Sequence, residues 1–429
     1  MKLAIEKVVY GGSGLARIQK AGETVFVPFT LPGEVVEAEL SENRGGLREA
    51  SLVQIATASP DRVEPRCIHF GVCGGCQYQH ARYEAQLEWK RGILKETLER
   101  AGLDGLPAIQ THSAEPWEYR NRVRMRVGRA DGRLRVGYVR RGSAEFLPIE
   151  MCPIASPILW RAAEAFLESV DAFPHWAGAT REVEFFATGD EQRLQMTVFV
   201  AAQPAKGFEA LCTFLQARLP ELAGAGVHIL QDSAGSRKAQ RATAGAGWGA
   251  AGLSYKVCEE SYWVGRGSFF QVNRFLIARL VELATEGRTG RLAWDLYAGA
   301  GLFSRVLAGQ FEEVVAVEAA KVSLEANFRG PGRRAVAATT VEFLRQAALE
   351  RDRPQLIVMD PPRAGVGAEV CQLLARVKAP EVVYISCDPT TLGRDLRMMV
   401  DSGYKVNQVH LVDMFPQTFH QETVVVLGR

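Results

Sequence analysis

Over residues 1–59 the chain alternates short apolar runs with polar and glycine-bearing breaks. The runs Lys2 to Val9, Glu23 to Val27, Glu34 to Leu40 and Glu49 to Ala56 have strand length. Turns at Gly11-Gly12-Ser13-Gly14 and Leu31-Pro32-Gly33 separate them, a pattern that predicts a small β-barrel. After Pro60 comes a cysteine-rich turn, then an amphipathic helix from Tyr83 to Arg100. Residues 117–264 mix β-like runs with a helix from Pro157 to Ser169, and the Gly/Ala/Arg-rich stretch 234–249 reads as a mobile loop. From Arg291 onward the period switches repeatedly between strand and helix. Strands are expected at 291–297, 314–318, 334–338, 356–360 and 381–387, with two more near 404–412 and 422–428. Such alternation predicts a doubly wound parallel sheet that binds ligands at the carboxyl ends of its strands. Three units follow: 1–59, 60–264 and 265–429, with the helix at 83–100 packing on the last.

Composition narrows this picture. At 429 residues and 47% apolar content the chain has ample material for several buried cores. No run has the length of a membrane span, and Met1-Lys2-Leu3-Ala4-Ile5-Glu6 lacks a signal-peptide core, so a cytoplasmic location is expected. The net charge of +2 does not mark a nucleic-acid binder, so such binding must come from a local patch. Gly11-Gly12-Ser13-Gly14 is no phosphate loop, because neither Lys-Ser nor Lys-Thr follows.

Four of the eight cysteines form a pattern. Cys67, Cys73 and Cys76 spell C-x5-C-G-G-C, and Cys152 precedes a proline. Three thiols on one tight turn plus a distant fourth are a ligand set for a four-iron cluster or a tetrahedral zinc. Cys212, Cys258 and Cys371 sit in apolar surroundings and read as core packing.

In the α/β region, Trp294-Asp295-Leu296-Tyr297-Ala298-Gly299-Ala300-Gly301 is a strand entering a glycine turn and then a helix. The next strand ends at Glu318, where a carboxylate can hold a ribose diol, and Asp360 ends a later one before Pro361-Pro362-Arg363. Asp295, Gly299, Gly301, Glu318 and Asp360 suit an S-adenosylmethionine pocket better than a dinucleotide one, since Phe303-Ser304 occupy the place of the third glycine. Cys387 lies where a strand meets a helix start, a position at which orphan amides and the helix dipole favour a thiolate. In Tyr119-Arg120-Asn121-Arg122-Val123-Arg124-Met125-Arg126, strand alternation puts Arg120, Arg122, Arg124 and Arg126 on one face, a phosphate-binding candidate.

These stretches, with Phe269-Phe270-Gln271-Val272-Asn273, Ser386-Cys387, Thr391 with Arg394-Asp395-Leu396, and Phe415-Pro416 with Thr418, His420 and Glu422, resemble the RNA uracil-5 methyltransferase family. The likeness is to its TRAM-containing, iron–sulfur, ribosomal RNA branch and spans almost the whole chain. It implies a class I S-adenosylmethionine-dependent (Rossmann-like) catalytic domain behind an OB-like TRAM barrel and a central α+β iron–sulfur domain. By this resemblance Gln271, Tyr297, Glu318 and Asp360 bind S-adenosylmethionine. Cys387 is the nucleophile, Glu422 the base, and Cys67, Cys73, Cys76 and Cys152 hold a [4Fe–4S] cluster. RNA is the implied partner, 23S rRNA before tRNA, with no protein partner and a monomeric enzyme expected. Two positions depart from the family: Asp388 stands where Asn is usual, and Thr339 falls where an adenine-contacting acid or amide is expected.

Other functions fit less well. An RNA cytosine-5 methyltransferase is expected to carry a cysteine beside the Pro-Pro turn, and none is there. A radical enzyme needs an iron site left open by three cysteines, which Cys152 closes. An inactive iron–sulfur RNA-binding protein has no use for Cys387 and Glu422 together.

Overall fold

A computed structural model describes residues 1–18, 23–41, 48–202, 204, 206–231, 242–320, 322–349 and 353–429. The first strands, β1 (Lys2–Val8), β2 (Ser13–Ile18), β3 (Glu23–Pro28), β4 (Val35–Leu40) and β5 (Arg48–Thr57), close into a barrel of order β1-β2-β3-β5-β4. Leu3, Ile5, Val25, Val27, Val36 and Ala38 point inward at alternate positions and form its core. β2 escaped the sequence reading because its inward positions are small: Ala16 is fully buried, and a side chain at Gly14 would collide with Thr30. Small residues suit a tapering barrel interior but hide the apolar alternation.

Helix α1 (Tyr83–Arg100) follows at the expected bounds, then β6 (Ile109–His112). Next come β7 (Arg122–Ala130), β8 (Arg133–Val139), β9 (Phe146–Pro148), α2 (Pro157–Glu168), α3 (Pro174–Ala179), β10 (Thr180–Ala187), β11 (Leu194–Val200), α4 (Phe208–Gln216), β12 (Leu222–Leu230) and β13 (Ala242–Gly249). β7 to β13, leaving out the helices, form one seven-stranded sheet of order β13-β12-β11-β10-β7-β8-β9. The expected mobile loop at 234–249 is corrected here for 242–249, which pair with β12 as a strand; the remainder lies outside the described residues. The hairpin β14 (Gly252–Val257) and β15 (Glu260–Gly265), assigned by sequence to the central unit, packs Leu253, Tyr255, Tyr262 and Val264 into the core of the α/β region.

That region comprises α5 (Ile277–Thr285), β16 (Gly290–Leu296), α6 (Leu302–Leu307), β17 (Phe311–Glu318), α7 (Val322–Asn327), β18 (Arg333–Ala337), α8 (Thr340–Ala347), β19 (Leu356–Met359), α9 (Gly367–Val377), β20 (Glu381–Ser386), α10 (Pro389–Asp401), β21 (Lys405–Val412) and β22 (Glu422–Gly428). The sheet order is β18-β17-β16-β19-β20-β22-β21-β6. Strands β16 to β20 run parallel, and β22 runs antiparallel between β20 and β21. The chain leaves β16 to one side for β17 and returns on the other for β19, so a crevice opens at the carboxyl end of β16. Both faces are covered, which is why the strands read as continuous apolar runs. One face packs on α5, α6 and the hairpin; the other packs on α8 to α10 and on Leu94 and Leu98 of α1. Among the described residues no helix is long and apolar enough to cross a membrane.

Candidate active site

The glycine turn after β16 opens the crevice. Tyr297, Gly299 and Gly301 all have positive φ (64°, 56° and 81°), a conformation that costs a tyrosine energy and is stored at ligand-binding turns. The Tyr297 hydroxyl turns toward Thr340. Glu318, at the end of β17, accepts hydrogen bonds from the Gly299 amide (3.0 Å) and the Ala320 amide (2.9 Å), which aims its carboxylate at this turn. Asp295 is fully buried, accepts a short hydrogen bond from the Ser304 hydroxyl, and is pushed up to about 7, chiefly by burial. Thr339 caps α8 in a box with Glu342, which engages its hydroxyl.

Asp360 follows β19, and the Gln271 amide reaches it at 3.5 Å. Gln271 is held by its neighbours: Asn121 donates to its carbonyl (3.1 Å), and Asn273 donates to the Met414 carbonyl (3.1 Å). Tyr119 donates to the Pro416 carbonyl (3.2 Å). The motifs at 119–121 and 269–273 therefore join the central unit to the loop 413–421.

Antiparallel pairing of β20 with β22 sets Ser386 opposite Thr423, which brings Cys387 beside Glu422. The thiol is half-buried and faces Glu422, Asp360 and Arg363. Glu422 is 3% exposed, and one of its carboxylate oxygens has no protein partner. Burial pushes Glu422 well above the usual carboxylate range, with Asp360 adding to the shift; Asp360 rises to about 7. The structure corrects one expectation. Cys387 is not a ready thiolate: burial and the Glu422 and Asp360 carboxylates drive it up to about 11, and only Arg363 and a local backbone hydrogen bond oppose them.

The helix amides expected to stabilise that thiolate are taken by Asp388. It caps α10, accepting from the Thr390 (2.9 Å) and Thr391 (3.1 Å) amides. Thr391 in turn donates to the Arg363 carbonyl (3.0 Å). The motif Arg394-Asp395 has a structural use, since buried Asp395 accepts from the Val366 amide and from the Tyr384 hydroxyl, 2.8 Å each.

The cysteine set converges. Cys67, Cys73, Cys76 and Cys152 line one cavity of about 280 Å³ with Gly74, Gly75 and Arg120. Burial raises the thiols at positions 67, 73 and 76, the last to about 12, and the neighbouring thiols add to each shift. Among the described residues no group of three or more His, Cys, Asp or Glu side chains is arranged to hold a metal ion. Of the cysteines expected in the core, Cys212 and Cys371 are buried, but Cys258 is exposed at the tip of the β14–β15 hairpin.

The arginines separate. Val123 and Met125 are core residues of β7, so Arg122, Arg124 and Arg126 share the opposite face. Arg120 precedes the strand and lines the cysteine cavity. Arg122 lies 4.2 Å over the Phe186 ring and donates to the Ser268 carbonyl. Arg124 pairs with Glu182 of the neighbouring strand at 2.6 Å. Sequence alone shows no acid between these arginines, but strand pairing supplies one. Arg126 is exposed and donates to the Ala144 carbonyl at 2.9 Å.

Sequence reasoning left several residues of the site unassigned. Arg363 could have been chosen from its place in the Asp-Pro-Pro-Arg turn. Tyr10, Lys90 and Asp413 carried no signal, because their partners lie hundreds of positions away.

Comparison with known proteins agrees with this geometry. The family model described as tRNA (Uracil-5-)-methyltransferase matches residues 82–350 and 333–429, and the TRAM domain model matches residues 1–53. A 23S rRNA (uracil(1939)-C(5))-methyltransferase RlmD from Chromohalobacter salexigens is 32% identical over 447 residues, covering 100% of this chain and 89% of that protein. An uncharacterized RNA methyltransferase from Streptomyces avermitilis is 33% identical over 460 residues, covering 99% of this chain and 97% of that one. The crystal structure of the Pyrococcus abyssi tRNA (uracil-54, C5)-methyltransferase with S-adenosyl-L-homocysteine superposes with a TM-score of 0.77 at 22% identity, covering 100% of both chains. Matched by that family model over most of its length, the chain belongs to the tRNA (uracil-5-)-methyltransferase family.

Proposed function

We propose that this enzyme methylates carbon 5 of a uridine in 23S rRNA, with Cys387 as nucleophile and Glu422 as base. The observation that carries the reading is the meeting of Cys387, Glu422, Asp360 and Arg363 at the carboxyl ends of β19 and β20, beside the glycine turn. The ribosomal target rests on the similarity to proteins named for 23S rRNA, one from Chromohalobacter salexigens and one from Halomonas elongata. Such an enzyme acts in the cytoplasm, as a monomer.

Carbon 5 of uracil is a poor nucleophile. After the Cys387 thiol gives up its proton to solvent, addition of its sulfur to carbon 6 forms one C–S bond and moves the ring electrons to an enolate, whose carbon 5 takes up a methyl group. When bound, S-adenosylmethionine would supply that methyl, its S–CH3 bond breaking to leave a neutral thioether, while Arg363 offsets the carboxylate field at the thiol. Gln271, Tyr297, Glu318, Asp360, Gly299 and Gly301 would hold it at the crevice. Glu422 then removes the carbon 5 proton, the C–S bond breaks, and the thiolate leaves with the double bond restored. A buried carboxylate shifted toward neutrality is a stronger base than one in water, as this step needs. The target base must be unstacked to reach the half-buried thiol.

Cys67, Cys73, Cys76 and Cys152 are the ligands of a [4Fe–4S] cluster in this reading. What supports the reading is that all four thiols line one cavity. The loop bearing them is tied to the loop before Glu422, since the Gln77 and Tyr78 amides both donate to the Gln417 carbonyl at 3.0 Å. A bound cluster would thus shape the base-bearing loop. Iron and sulfide analysis of anaerobically purified protein should find four of each per chain; a single zinc would remove this assignment.

The function is tested by mapping 5-methyluridine in 23S rRNA and tRNA from cells with and without the protein. Loss of one or more 23S sites supports it, whereas loss confined to tRNA moves the target to that alternative.

A further inference from the structure

The barrel reaches into the catalytic centre through Tyr10. This residue stands just before the turn at Gly11 and Gly12, both at positive φ (101° and 89°). A side chain at Gly12 would come within 2.8 Å of the Gln77 side chain and 3.6 Å of Phe419, so the turn is wedged between the cysteine loop and the loop before Glu422. The Tyr10 ring meets Phe419 edge-on, with centroids 5.3 Å apart, and Phe419 lies 4.2 Å from the His420 ring. Beyond them the Tyr10 hydroxyl donates to Asp388 at 3.2 Å, a contact between residues 378 positions apart.

Asp388 is the immediate neighbour of Cys387. Its Oδ1 takes the Thr390 and Thr391 amides, so the Tyr10 hydroxyl is the side-chain donor recorded for Oδ2. The groups facing the nucleophile turn are Glu422 from β22, Asp360 and Arg363 from the turn after β19, His420, and Tyr10 from the barrel. Two carboxylates, Glu422 and Asp360, thus face the thiol with one guanidinium, and Asp388 follows it in the chain. A hydroxyl dipole aimed at Oδ2 screens the Asp388 carboxylate and holds it in its capping position. Burial and Asp388 push Tyr10 far above its ordinary value, so it remains a donor throughout the working range.

We propose that Tyr10 is a positioning residue for methyl transfer, acting through Asp388 on the Cys387 thiolate, so that seating of the barrel is read directly at the nucleophile. This rests on the proposed role of Cys387.

The test is iodoacetamide alkylation of Cys387, resolved by peptide mass spectrometry, on the full chain and on Tyr10→Phe, Asp388→Asn and the double variant. Reaction rate follows thiolate fraction. Tyr10→Phe, which keeps the ring contact, should slow alkylation near pH 8 about three- to tenfold. It should also lower kcat by a similar factor, with KM for RNA within about twofold. In the Asp388→Asn background the same replacement should change neither. Unchanged alkylation in Tyr10→Phe, or an undiminished effect in the Asp388→Asn background, overturns the proposal. So does a rise in KM alone, which would make Tyr10 an RNA contact. Alkylation does not need methyl transfer, so a wild-type protein inactive on every RNA would sink the proposed function and leave this comparison readable.

Discussion

The Glu422 and Asp360 carboxylates and the Arg363 guanidinium face the Cys387 sulfur. Because Cys387 is raised and Glu422 is buried beside it, their replacement should separate two halves of one reaction. Cys387→Ala should retain S-adenosylmethionine binding by calorimetry and lose methyl transfer; turnover near the parent rate would exclude covalent catalysis. Glu422→Gln should stall after methylation and accumulate a protein–RNA adduct on denaturing gels. Asp360 gives a prediction in stability. Its folded value of about 7 lies above the ordinary 3.8, so between those limits the folded chain binds more protons than the unfolded one. Stability from this group is therefore present at low pH and lost as pH rises through about 7. Asp360→Asn should raise Tm at pH 8, on the order of a few degrees, and leave it unchanged near pH 4. An equal gain at both pH values would mean that Asp360 is not protonated by its surroundings.

Among the elements, helix α1 anchors the loop before Glu422. Its Lys90 is fully buried and donates to Asp413 (2.6 Å) and to the Phe415 carbonyl (3.0 Å), while Tyr83 donates to the other Asp413 oxygen (2.8 Å). Gln86 adds bonds to Gln417, which itself sits at a positive φ of 67°. Breaking such a pair leaves an uncompensated buried charge, which costs roughly 3–5 kcal/mol. Lys90→Met should thus lower the denaturation midpoint strongly, and adding Asp413→Asn should recover part of the loss. If the double variant is no more stable than the single one, the pair is not the source. The helix itself was readable from its amphipathic run, but the buried ion pair was not: a lysine at 90 and an aspartate at 413 share no local pattern.

For the molecule as a whole, the barrel, the central sheet and the α/β region all send residues to the loops around Cys387, and the surface around them should govern RNA affinity. Of the aligned arginines, Arg126 is the most available to phosphate, Arg124 is partly neutralised by Glu182, and Arg122 is committed to Phe186 and Ser268. Arg126→Ala should weaken RNA binding uniformly and reduce the slope of log K against log salt by about one. Arg122→Ala should instead lower thermal stability. An unchanged slope for Arg126→Ala would remove this face from the RNA path.

Local periodicity determined the strands and helices of the α/β region, α1 and most of the barrel, because each must bury one face and that face is written in apolar spacing. Motif order determined the family, and with it the pairing of a thiol, a carboxylate and a cysteine quartet. Tertiary structure alone decided the rest. The proton affinity of Cys387, the seating of Asp388 against Tyr10, the Lys90–Asp413 pair and the acids beside the arginines all arise from residues far apart in the chain. Electrostatics and burial depend on distance in space, and no spacing along the chain encodes which distant groups the fold will bring within a few ångströms.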